Sequence, residues 1–129
     1  MESLIDAYIE TLLWSSTDCE GESLDKYYIS DISQTDRDII KADIIKFEQL
    51  VDNSILESFE NITELTDNDY NHIMHDFVLT RNRHGAGFWD GDYNVTIGNI
   101  NIGDELTKIS GLFNEVFIEI GDDDKLYLI

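Results

Sequence analysis

The chain has 129 residues, 42% of them hydrophobic and 11% aromatic, and its 28 acids against 8 bases give a formal net charge of -20. This length fits one domain that buries about two thirds of its unfolded surface, and the aromatic content excludes a disordered acidic tail. The charge opposes contact with bare DNA, RNA and anionic membranes and favours basic surfaces and cations, while the single cysteine, Cys19, excludes an internal disulfide.

Leu4, Ile5, Tyr8, Ile9, Leu12 and Leu13 recur at helical spacing, with Asp6 and Glu10 on the other side, and predict an amphipathic helix over 3–15. Residues 16–31 read as an acidic loop, which Tyr27, Tyr28 and Ile29 dock on the core or turn into a short strand. Ser33 with Asp36, or Thr35 with Asp38, caps a second helix. Its apolar stripe is Ile40, Ile44, Phe47 and Val51, and it fades at Asp52-Asn53-Ser54. Residues 54–65 are ambiguous, with Ile55, Leu56, Phe59 and Ile62 suited to a short helical turn.

Thr66 and Asp69 cap a third helix marked by Tyr70, Ile73, Met74 and Phe77, which runs to about Asn82 and is stopped by Gly85 and Gly87. A loop rich in Asp, Asn and Gly follows over 90–101. Leu106, Ile109 and Phe113 suggest a short fourth helix. The run EVFIEI is the strongest strand signal, and GDDDK followed by LYLI completes a hairpin.

The expected architecture is α+β. Three to four helices pack on a small antiparallel sheet with a C-terminal β-hairpin, in one acidic domain over 1–129. Two strands alone are marginal, so a third is expected around Phe88-Trp89 or Tyr27-Ile29. No window approaches 18 apolar residues, and no basic stretch precedes an apolar run at the start. The expected location is the cytoplasm.

The segment TRNRHGAGFWDGD, residues 80–92, is compositionally unusual, with two of the eight bases and three of the eight glycines. One reading makes it a polar contact surface built from Arg81, Arg83, His84, Trp89 and Asp90, with His75 and Asp76 nearby and the arginines suited to a carboxylate or phosphate. The other makes the glycines turn the chain while Phe88 and Trp89 fill the core and Arg81 pairs with Asp76 or Asp90.

His72 and His75 have a spacing that metal sites use, with His84 close in sequence. No HExxH motif supports them, and no metal or other cofactor is expected. Asp90, Asp92 and Asn94 match the first ligand positions of a calcium loop, but Val95 stands at the glycine position and Asn101 where a bidentate Glu is needed. No nucleophile elbow, Cys-His pair, Walker loop or dinucleotide fingerprint is present, so an enzyme is not expected.

The distributed acid is the more informative feature. Asp36, Asp38, Asp43, Glu48, Asp52, Glu57, Glu60, Glu64, Asp67 and Asp69 fall along consecutive helical segments. Carboxylates one helical turn apart are spaced about 5.4 Å, and duplex DNA carries one charge per about 1.7 Å of axis. Acids on adjacent helices can imitate such an array. The alternative is an acidic surface that confers solubility alone.

Residues 75–90 carry His75-Asp76-Phe77, Thr80-Arg81-Asn82 and His84-Gly85-Ala86-Gly87-Phe88-Trp89-Asp90. With Gly103, Leu106-Thr107, Glu115-Val116, Gly121-Asp122-Asp123 and Leu126-Tyr127, the chain resembles a family of small acidic proteins of tailed bacteriophages. The start, Tyr8-Ile9-Glu10-Thr11 through Leu13-Trp14-Ser15, is similar too, and 45–70 matches only in character. Members often have Gly where Arg83 stands. The resemblance implies a phage origin and a host-cytoplasmic life, and by analogy of size, charge and source a counter-defence role. The expected function is therefore an inhibitor that imitates nucleic acid on the basic surface of a host DNA-binding, restriction or CRISPR complex. The alternative is an interaction protein without mimicry that uses residues 80–92. Direct nucleic-acid or membrane contact is not expected.

Overall fold

The computed structural model describes residues 2–16, 24, 27–55, 59–83, 87–123 and 125–129. Helix α1 spans Glu2–Ser15, α2 Gln34–Ile55, α3 Phe59–Thr66, α4 Tyr70–Arg81 and α5 Ile102–Ser110. Strands β1 (Thr96–Ile97) and β2 (Ile100–Asn101) pair antiparallel, as do β3 (Ile118–Ile120) and β4 (Leu126–Leu128). The chain is α+β, with five helices and two small sheets among the described residues. The additional helix is α3, which closes the ambiguous stretch after α2. Among the described residues, no helix is long and apolar enough to cross a membrane.

The stripe expected of α2 holds: Ile40, Ile44, Phe47 and Val51 are all buried. Phe47 stacks on Phe77 of α4 with ring centroids 4.1 Å apart, and Phe88 and Phe113 complete the cluster at 6.0 and 6.4 Å from Phe47. Rings in these offset and edge arrangements add to the burial of their area. Helix α1 lies on α4 and α2 on α5. Arg37 of α2 clamps α1, donating to Glu2 at 2.6 Å and Asp6 at 2.8 Å.

The third strand expected around Phe88-Trp89 or Tyr27-Ile29 does not form: the first pair lies in a turn and the second leads into a 3-10 turn. Ile32, just after a 3-10 turn at Ile29–Asp31, makes one parallel bridge to Leu126 of β4. Nor does Trp89 fill the core: Phe88 is buried while Trp89 is 55% exposed. The two residues alternate across a tight turn, so only one can face inward.

The loop expected over 90–101 is more ordered than its composition suggests. Tyr93 is fully buried, and its carbonyl accepts from Val95 and Gly103 amides. The β1–β2 turn then uses Gly98 at φ 59°, a left-handed conformation that glycine adopts without penalty. Asn101 caps α5 by accepting from the Asp104 amide.

Candidate functional site

Two regions hold the chemistry anticipated from sequence: the segment around Arg81 and the acids of α2–α4. A third, a histidine–aspartate cluster on α4, emerges from the fold.

The side chains of Thr80, Arg81 and Asn82 are committed to structure. Thr80 Oγ1 accepts from the Phe88 amide at 3.1 Å, and Asn82 Oδ1 accepts from the Val116 amide at 2.8 Å. Arg81 is 6% exposed. Its Nε and Nη2 donate to the Asn114 carbonyl at 2.9 and 2.6 Å, and its Nη1 donates to Tyr8 OH at 3.0 Å and Asp43 Oδ2 at 2.7 Å. The guanidinium also lies over the Phe77 and Phe113 rings. The partner expected for Arg81 was Asp76 or Asp90, and the structure supplies Asp43, because Arg81 leaves α4 toward α2. Burial raises the Tyr8 phenol to about 12, against the lowering influence of Arg81.

Arg83 is exposed, sits at φ 54° and pairs with Glu115 at 2.6 Å. Trp89 and Asp90 are exposed beside it in sequence, and His84 lies outside the described residues. Every arginine of the chain is thus held by a carboxylate of the same chain: Arg37 by Glu2 and Asp6, Arg81 by Asp43, and Arg83 by Glu115.

The ten acids proposed as a charge array divide. Asp36 accepts from the Leu128 amide, Asp43 is bound to Arg81, and Asp69 caps α4 by accepting from the His72 amide. Asp38 and Asp52 are exposed on the side of α2 away from its buried stripe, together with Lys41, and Glu48 is half-buried at the edge of that stripe. Asp38 and Asp52 are about 21 Å apart along the axis at the usual helical rise. Burial, and then the Asp52 carboxylate, hold the Glu48 carboxyl above its ordinary value. Glu64 and Asp67 are exposed, Asp67 at φ 58° in the α3–α4 turn. Glu57 and the side chain of Glu60 lie outside the described residues.

The calcium-loop positions do not converge. Asp90 accepts from the Gly87 amide, Asn94 accepts from Asn101, and Asp92 turns toward α4. There it meets His72 and Asp76, which are one turn apart on α4. His72 Nε2 is 3.1 Å from Asp76 Oδ2 and 3.2 Å from Asp92 Oδ2. The three ligand-type atoms all lie within 4.8 Å of one another. His75 turns elsewhere, with Nδ1 3.3 Å from Asp76 Oδ1 and its ring 5.5 Å from that of Trp14.

Asp76 is nearly fully buried and its carboxyl is pushed up by desolvation, against the lowering effects of Tyr93, His72 and His75. The Tyr93 hydroxyl is pushed up by burial and by the Asp76 carboxylate. These two groups are close enough to shift each other's ionisation, yet neither Asp76 Oδ2 nor Tyr93 OH has a hydrogen bond of normal geometry. The i,i+4 spacing of His72 and Asp76 was visible in the sequence, but nothing there showed that Asp92 would fold back beside them. An open groove of about 630 Å³, lined by Trp14, Asp67, Asp69, His72 and His75 among others, runs beside the cluster.

No family model, curated protein or solved structure matches this chain.

Proposed function

We propose that this protein is a phage-encoded acidic binding protein. It occupies the basic surface of a host nucleic-acid-binding or defence complex and competes there with nucleic acid, in the host cytoplasm and without catalysing a reaction. The observation that carries this reading is the pairing of every arginine within the chain. Those pairs take up four of the 28 acids and leave the net charge at -20, with 24 other carboxylates against five lysines. Asp38, Asp52, Glu64 and Asp67 are exposed along consecutive segments, and such a field steers basic partners over distances comparable to the Debye length.

The competing reading, a contact surface over residues 80–92, is weakened by the burial of Arg81 and keeps only Arg83, Trp89 and Asp90 as exposed described contributors.

Tagged protein exposed to bacterial lysate, washed at low and high salt with and without duplex DNA, tests the proposal. Nucleic-acid-binding proteins retained at low salt and released by salt or DNA are expected. A partner that survives high salt and ignores DNA would overturn mimicry and favour the 80–92 surface.

A further inference from the structure

We propose that His72, Asp76 and Asp92 form a binding site for one first-row divalent transition metal, zinc in the first instance. Helix α4 supplies two ligands from one face, His72 Nε2 and Asp76 Oδ2, and the turn before Tyr93 supplies Asp92 Oδ2.

The spacing fits an ion. Tetrahedral zinc with bonds of about 2.0–2.2 Å places neighbouring ligand atoms about 3.3–3.6 Å apart. The two separations from His72 Nε2, 3.1 and 3.2 Å, lie just short of that range and all three atoms lie within 4.8 Å of one another, so small side-chain shifts admit an ion.

Hydrogen counting points the same way. The Nε2 atom carries at most one hydrogen. Its contact to Asp92 Oδ2 has hydrogen-bond geometry, while buried Asp76 Oδ2 has no hydrogen bond of normal geometry and only the Tyr93 hydroxyl, itself unsatisfied, as a neighbouring donor. A carboxylate oxygen in that position costs free energy unless something positive meets it. A cation between the three atoms satisfies all of them at once, with imidazole as the neutral ligand.

The donor set selects the metal class. One imidazole and two carboxylates suit zinc, iron or manganese and not the soft ions that thiolates select. Asp76 is held from behind: its other oxygen lies 3.3 Å from His75 Nδ1, which makes His75 an orienting residue and not a ligand. The solvent side stays accessible, since His72 is 40% and Asp92 55% exposed. Three protein ligands leave a coordination position for water or for a group delivered by a partner.

Equilibrium dialysis of the full chain against zinc in about 0.15 M salt, which screens diffuse binding to surface acids, tests the site. Cobalt substitution adds a spectrum. The expected result is one ion per chain and cobalt d–d bands without a thiolate charge-transfer band, which separates this site from Cys19. Asp92→Ala and His72→Ala each weaken binding by more than about tenfold, while His75→Ala, which removes only an orienting group, has the smaller effect. Asp92 is exposed, so Asp92→Ala keeps the fold by circular dichroism; zinc raises the Tm of the wild type but not of this variant. Failure of the wild type to take up a stoichiometric ion at millimolar zinc would overturn the proposal. Uptake unchanged in both Asp92→Ala and His72→Ala would overturn it equally.

Discussion

Arg81 Nη1 donates to Asp43 Oδ2 at 2.7 Å and joins α4 to α2 across 38 positions of sequence. The same guanidinium holds Tyr8 of α1 and the Asn114 carbonyl after α5. One side chain therefore ties together three helices and the approach to the C-terminal hairpin.

Removing it leaves a carboxylate, a phenol and a carbonyl facing each other with no cation. Arg81→Ala is expected to cost about 3 kcal/mol of stability, read by urea denaturation. The pair Arg81→Met with Asp43→Asn removes the orphaned charge as well and recovers part of that loss. Equal losses in the single and double variants would show that Asp43 is not the partner that matters.

Gly87 has a different reason to be glycine. A Cβ there would lie 2.2 Å from Thr80 Oγ1, the atom that accepts from the Phe88 amide. Gly87→Ala is expected to cost about 1–3 kcal/mol through overpacking. Thr80→Ala in the same chain removes the clashing atom, so the double variant falls short of the sum of the singles. Full additivity in a double-mutant cycle would remove this explanation.

Glu48 makes a pH-dependent contribution whose sign is fixed by the direction of its shift. Its folded value lies above the ordinary 4.5 because burial and Asp52 disfavour the charged form. The folded chain then holds the proton more tightly than the unfolded chain, so stability from this source is present below the ordinary value and falls as pH rises through the folded one. Glu48→Gln is expected to raise Tm at pH 7 and to leave it nearly unchanged at pH 4. A destabilisation at pH 7 would mean that the charge is satisfied in the fold.

Local pattern made much of this legible. The stripe of Ile40, Ile44, Phe47 and Val51 located α2, and the Thr66–Asp69 pair marked the approach to α4, although Thr66 ends α3 and Asp69 is the cap, because both signals depend on neighbours within a turn or two. Tyr93 was hidden because Asp, Asn and Gly surround it, a composition that signals loop even where one ring is driven inward. The partners of Arg81 were hidden because salt bridges between helices leave no periodic trace. Asp92 belongs to the same class: its neighbours His72 and Asp76 are 16 to 20 positions away, and a turn that hydrophobic spacing does not encode delivers it. Asp43 shows the opposite case: it reads as surface charge, and the fold employs it on a buried arginine, while Asp36, read both as a capping residue and as surface charge, accepts from the Leu128 amide.

If exposed carboxylates on the α2–α3 side carry partner binding, two variants of equal net charge behave differently. One replaces Asp38, Asp52, Glu64 and Asp67 by their amides, and the other replaces Asp90, Asp104, Glu119 and Asp122, all exposed. In low-salt capture of nucleic-acid-binding proteins, the first variant is expected to lose the DNA-displaceable partner while the second retains it. Equal retention by both, or equal loss from both, would show that net charge alone, or another surface, is the source of binding.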